Sequence, residues 1–278
     1  MAQHTRDRYR AGMPQLARNG LSENWLLKEC GDRHWHALAA ATGRAVPDFV
    51  DDDGERAYAA FTAVSVHDAR LDEIGENAMF EIDTSLVQSG AARHFSEHRL
   101  WMDGALHARV SMCSAFVRRR EAGNNQSVVR ARFAALDAPV EGAPHGALTM
   151  ARLGKRLRSG EWGDELGVAQ PPAHDASAIR FDPCPNGDFN GANFLYFASF
   201  QAFVDRAEWT GRCFATAPAL ARRDLFYYGN LNVGDTLSVR TLAQRSNERE
   251  LAHWCEIRRG SDRVKIADVV TVKRWVSA

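Results

Sequence analysis

Two segments of this chain are apolar on more than one helical face, and a helix of that kind must be surrounded by other structure. In the first, Ser22-Glu23-Asn24 leads into an apolar run that ends at Thr42-Gly43. In the second, Asp188-Phe189-Asn190-Gly191-Ala192-Asn193 leads into Phe194 to Trp209 and stops at Thr210-Gly211. Ser22 suits an N-cap, and Gly43 and Gly211 suit the C-terminal stop. Phe194, Tyr196, Phe197, Phe200, Phe203 and Val204 cover most of the second helical wheel. Central helices are therefore expected from Ser22 to Thr42 and from Asn193 to Thr210.

The stretches downstream of the two helices correspond as well. A strand-like run and a glycine turn succeed the first (Ala57 to Val66, then Ile74-Gly75-Glu76-Asn77) and the second (Asp224 to Tyr228, then Val233-Gly234-Asp235). Farther along the period becomes two: Leu106, Ala108, Val110, Met112, Ser114 and Phe116 alternate with His107, Arg109, Ser111, Cys113 and Ala115. Such alternation marks a strand whose two faces meet different surroundings. Arg93 to Met102, Thr236 to Leu242, Glu250 to Ile257 and Val264 to Val276 are its candidate partners. Each half thus reads as a curved antiparallel sheet wrapped around one buried helix, and the expected fold is α+β, a tandem double hotdog. The expected organisation is an N-terminal hotdog over 1–122, a connector over 123–185 and a C-terminal hotdog over 186–278. The connector is punctuated by Pro and Gly, carries a basic run from Arg152 to Arg158, and is longer than a compact domain needs. It is expected to pack across the surface.

Charge narrows the partners. The 35 basic and 35 acidic residues balance, which argues against nucleic acid or an anionic membrane as the main partner. No stretch of about 18 apolar residues occurs, so a membrane span is not expected. Cys30, Cys113, Cys184, Cys213 and Cys255 are scattered and read as free thiols of a reducing, cytoplasmic setting.

The residues from Asp188 to Phe200, with Val204-Asp205 following, resemble the signature of the double-hotdog family of the leinamycin-pathway bifunctional acyltransferase/decarboxylase. Tyr228-Gly229-Asn230, shortly before Gly234-Asp235, is similar to a second block of that family, and Gly20 to Trp35, including Gly31-Asp32, resembles its N-terminal helix entry. The resemblance implies an enzyme of polyketide or related secondary metabolism that handles acyl groups carried as thioesters on coenzyme A or an acyl carrier protein. It would accept methylmalonyl groups, decarboxylate them and deliver propionyl groups to the carrier. Coenzyme A or phosphopantetheine would then arrive with the substrate, with no tightly bound cofactor, and a homodimer is compatible with this reading. The family's decarboxylase is thought to carry its acyl group on a tyrosine of the first hotdog. The comparable run here, Tyr58-Ala59-Ala60-Phe61-Thr62-Ala63-Val64, holds one tyrosine, so an acyl-tyrosine is not expected.

Thioester carbonyls react more readily when N–H groups hold the oxygen, and a helix N-terminus supplies such groups with a favourable dipole. At the second helix entry Asp188 suits a base, Asn190 and Asn193 suit donors to the acyl group, and Gly191 allows close approach of a ligand. The alternative is that Asp188 and Asn190 cap the helix and Gly191 makes a turn. For Asp188 with Asn190 the catalytic reading is preferred because the family motif carries both; for Asn193 the turn reading is preferred. Glu23 and Asn24 hold the equivalent place in the first half, Glu23 as general base or as complement to the helix dipole. Of the two loops, the second is favoured.

Tyr196, Tyr228 and Asn230 are further candidates for contact with the substrate. Arg156, among Arg152, Lys155 and Arg158, suits the phosphates of coenzyme A or the acidic face of a carrier protein, unless the cluster is solvated surface. His34-Trp35-His36 is not expected to hold a metal, because helical spacing turns the two histidines apart. Cys184 has no histidine in recognisable relation to it and is expected to be inert. A thioesterase, which needs only an activated water, and a non-catalytic module that binds acyl carrier proteins stand as alternatives.

Overall fold

The computed structural model describes residues 3–136, 142–161, 178–212, 214 and 216–275. Its strands and helices are β1 (Gln3–Arg10), the short β2 (Leu16–Ala17) and β3 (Gly20–Leu21), α1 (Glu23–Ala41), β4 (Phe49–Val50), β5 (Arg56–His67), β6 (Met79–Gly90), β7 (Arg93–Met102) and β8 (Ala105–Arg119). There follow β9 (Val128–Arg130), α2 (His145–Ser159), β10 (Ile179–Phe181), α3 (Pro185–Asp188), α4 (Phe197–Arg212), β11 (Ala219–Tyr227), β12 (Leu237–Ser246), β13 (Glu250–Arg259) and β14 (Lys265–Arg274).

Ser22 caps α1 as its sequence suggests: the hydroxyl oxygen accepts the Trp25 N–H at 3.3 Å. At the far end Gly43 takes the left-handed conformation, φ 71°, that ends a helix without a Cβ clash. The second helix begins later than expected, at Phe197 and not Asn193. Asn193 sits at φ 59°, left-handed and outside helical space, and the chain from Asn190 to Leu195 forms a closed turn instead. Phe200 and Phe203 on α4 are each 1% exposed, and burying such a ring stabilises the fold by about 1.5–3 kcal/mol.

One antiparallel sheet spans both halves in the order β1-β6-β7-β8-β5-β11-β14-β13-β12-β10. The halves join where β5 pairs with β11, from Ala63 opposite Phe226 to Val66 opposite Arg223. Period two is realised on β8, whose Ala108, Val110, Met112, Ser114 and Phe116 are buried. Both central helices lie on one face, and the largest apolar core runs continuously from Leu26 and Phe61 to Phe200 and Val269. The fold is α+β, two hotdog units sharing a sheet.

The segment between the halves divides its allegiance. β9 pairs with β8 of the first half, and β10 pairs with β12 of the second. Between them, α2 crosses the opposite face of the seam. Phe226 packs on Gly154 of α2, whereas the next residue, Tyr227, donates its hydroxyl to the Phe197 carbonyl of α4 at 3.1 Å. Consecutive strand residues point to opposite faces, so α2 and α4 sandwich the sheet. Two elements not foreseen are β6 and its edge partner β1, paired from Gln3 opposite Leu86 to Arg10 opposite Met79. Among the described residues no helix is long and apolar enough to cross a membrane.

Candidate functional site

Asp188 ends α3, and its side chain turns back on its own helix. Oδ2 accepts the Cys184 N–H at 2.8 Å, while Oδ1 has no donor among the described residues. Its carbonyl accepts the Tyr196 N–H at 2.8 Å and the Ser199 hydroxyl at 3.0 Å, tying α3 to the first turn of α4. The residue is 7% exposed.

Asn190 organises the turn. Its Oδ1 accepts the N–H groups of Ala192 and Phe194, both at 3.0 Å, and its own N–H donates to the Phe194 carbonyl at 2.9 Å. Nδ2 has no acceptor among the described residues. Gly191 opens onto free space, where an added Cβ would meet no atom within 4 Å. Asn230 clamps the next peptide from both sides: Oδ1 accepts the Leu195 N–H at 2.8 Å and Nδ2 donates to the Leu195 carbonyl at 3.1 Å. Tyr196 packs its ring against Trp35 and Phe197, and burial followed by the nearby Asp32 charge pushes its hydroxyl up to about 12.

The first half reaches this loop with residues the sequence did not single out as its partners. Arg119, at the end of β8, places its guanidinium 3.8 Å from the Phe194 ring centroid and donates to the Ala192 carbonyl. Its Nε donates to Asn125 Oδ1 at 2.8 Å. Asn125 is 3% exposed and sends Nδ2 to the Asn193 carbonyl at 2.6 Å. Tyr58 lies edge-on to Phe194 at 5.2 Å, with its hydroxyl 3.5 Å from Arg119 Nη1. These contacts join positions far apart in the chain, and no local pattern announces them.

The remaining candidates disperse. Asn24 does reach α4, donating Nδ2 to the Ala198 carbonyl at 3.1 Å. Glu23 is instead an ion-pair partner of Arg223, 2.8 Å away, in a buried network with Asp205, Lys273, Glu208 and His253. Burial raises the Glu23 carboxyl, with Arg223 opposing. Burial works against charge on His253 too, yet Cys255 and Glu208 beside it hold the ring at about 9. Glu23 is thus committed to a pairing with Arg223 inside the fold.

Tyr228 and Arg156 belong to the other face of the sheet. The Tyr228 hydroxyl donates to Asp268 Oδ2 at 2.9 Å and lies 3.2 Å from the Gly154 carbonyl of α2, and Arg156 is on α2 itself. Neither joins Asp188. His34 is fully buried and His36 exposed, as helical spacing requires. Cys30, Cys113, Cys184 and Cys255 are free thiols, and Cys213 lies outside the described residues.

No family model matches the chain. No curated protein matches it by sequence either. Among solved structures it is similar to a putative oleoyl thioesterase from Lactobacillus plantarum, with TM-score 0.66, 12% identity, and 100% of this chain and 98% of that one covered. It is likewise similar to the 12:0-ACP thioesterase from Umbellularia californica, with TM-score 0.65, 11% identity and 98% of both chains covered. A hot dog fold protein of unknown function from Alicyclobacillus acidocaldarius aligns with TM-score 0.50, 12% identity, and 98% of this chain and 94% of that one. The likeness is one of fold, over the full length.

Proposed function

We propose that this chain processes acyl groups carried as thioesters on coenzyme A or an acyl carrier protein, at the loop from Asp188 to Tyr196, and that hydrolysis is its reaction. The observation that carries this reading is the Asp188 carboxylate, held through one oxygen by the Cys184 N–H with the other undonated among the described residues, two positions before Asn190, whose Nδ2 is likewise uncommitted among them. Such a pair supplies a base and an oxyanion donor. Asp188 takes a proton from water as the water oxygen adds to the thioester carbon. Asn190 Nδ2 holds the resulting oxyanion. Collapse breaks the C–S bond, and the proton on Asp188 passes to the departing thiolate. The products are a free acid and a free thiol, and the chemistry uses no tightly bound cofactor.

Named thioesterases among the structural neighbours support a hydrolytic reading of this fold. The family resemblance of the Asp188 to Phe200 segment supports a second reaction at the same loop, decarboxylation with transfer to a carrier. One experiment separates them: mass spectrometry of acyl carrier proteins and acyl-CoAs incubated with the full chain. Free acid with free thiol is the expected result. Carbon dioxide with a new acyl group on the carrier would select transfer, and binding of both carriers with no turnover would make the chain a docking module.

A further inference from the structure

We infer that Arg119, contributed by the first half, is the positioning residue of the second-half loop, setting the direction in which Asn190 presents its amide. This inference rests on the proposed site at Asp188 and Asn190. Two peptide units carry the argument. The Ala192–Asn193 unit has its carbonyl bound by Arg119 and its N–H donating to the Asn190 carbonyl at 2.9 Å. In the Asn193–Phe194 unit the carbonyl is bound by Asn125 at 2.6 Å, and the N–H donates to Asn190 Oδ1 at 3.0 Å. Each unit is therefore fixed at both ends, and the second fixes Asn190 Oδ1. Because an amide is planar, an anchored Oδ1 fixes where Nδ2 points.

Arg119 is the common support of both grips, since its Nε also donates to Asn125 Oδ1 at 2.8 Å. The carbonyls of Ala192 and Asn193 are thereby turned toward cationic or amide donors. A carbonyl free to rotate toward the reacting centre would oppose the oxyanion it has to stabilise. The planar guanidinium serves several acceptors while stacking on Phe194, which an ammonium cannot reproduce. Asn193, suspected from sequence of making only a turn, is thus the point where the first half takes hold.

The test uses the full chain with Arg119→Gln, Arg119→Lys and, in parallel, Asp188→Asn. Thiol release from acyl-CoA gives kcat and KM, and amide hydrogen exchange reports on residues 189–196. Arg119→Gln is expected to lower kcat by about 10- to 100-fold with KM within about twofold, since misplacing a catalytic group costs rate and not binding. Exchange in the loop should quicken by about tenfold while α1 is unchanged. Arg119→Lys should recover little of the lost rate. Unchanged loop exchange overturns the inference, as does a normal kcat in Arg119→Gln when Asp188→Asn has lost its activity. Normal turnover in Asp188→Asn overturns the site reading instead, so the two failures are distinct.

Discussion

At Asp188 and Asn190, capping and catalysis looked like rival readings, yet each side chain has two polar ends and uses only one for the backbone. Asp188 spends Oδ2 on Cys184, and Asn190 spends Oδ1 on Ala192 and Phe194. Substitutions that keep one end and change the other therefore separate the two roles. Asp188→Asn retains an acceptor for the Cys184 N–H but loses the base, and Asn190→Asp retains the turn but loses the donor. Each is expected to reduce turnover by about 100-fold or more, with stability changed by less than about 1 kcal/mol. Thermal melting measured beside the thiol-release rate checks this; normal rates with lowered melting would leave both residues as caps. The sequence singles out this pair through its motif, although the helix entry expected there proves to be a turn, with α4 starting at Phe197. Glu23 does sit at a helix N-terminus, but its partner Arg223 is 200 positions away and only the folded sheet brings it near, which no local pattern shows.

Elements were legible in proportion to how fully their residues are buried. α1 and the long central strands carry strong apolar patterns, whereas β1 reads Gln-His-Thr-Arg-Asp-Arg-Tyr-Arg, because an exposed edge strand is kept polar against unwanted pairing. The late start of α4 was hidden by its aromatic run, which continues through residues the turn uses. Packing between α1 and α4 depends on a detail of the same kind. Gly31 meets the Phe197 ring so closely that an added Cβ would sit 2.7 Å from Cζ, with Phe61 behind at 3.5 Å. Gly31→Val should accordingly destabilise the fold by about 1–3 kcal/mol through overpacking. Gly211, on α4 with open space around it, provides the contrast: Gly211→Ala should be neutral or stabilise by up to about 1 kcal/mol through helix propensity. Chemical denaturation of both variants checks the pair, and equal effects would mean that Gly31 is not a point of close contact.

On the scale of the whole molecule the two halves bury opposite kinds of histidine, a difference no local pattern reveals. In the first half His34 lies between Ser96 at 2.7 Å and Ser114 at 2.8 Å, and His98 between Ser96 and Thr84, both at 2.9 Å. Desolvation holds His34 down at about 3 and His98 well below the usual imidazole value, and it holds His94 down at about 4. All three are neutral in the fold, while in the unfolded chain each takes a proton near pH 6.5. Their contribution is thus present above that pH and is lost as the pH falls toward 4. At pH 5 it amounts to a loss of about 2 kcal/mol for His34 and for His94, and His98 acts in the same direction. Carboxylates that the fold holds below their ordinary range, such as Asp205 and Asp224, weaken it only nearer pH 4, whereas Glu23 and Asp268, raised by burial, gain their protons first in the fold and oppose the histidines as the pH falls. His253 in the second half works the other way: with its folded value up at about 9, its contribution is complete below pH 6.5 and fades as the pH rises through 9. Urea unfolding across pH 4.5 to 9.5 should therefore show greatest stability near neutrality and a fall on both sides. His98→Gln should make the acid fall shallower, with His34 and His94 still contributing, and leave the alkaline fall intact, whereas His253→Gln should lessen the alkaline fall and leave the acid one. An acid limb that kept its slope in His98→Gln would mean that this buried relay is not what limits the fold at low pH.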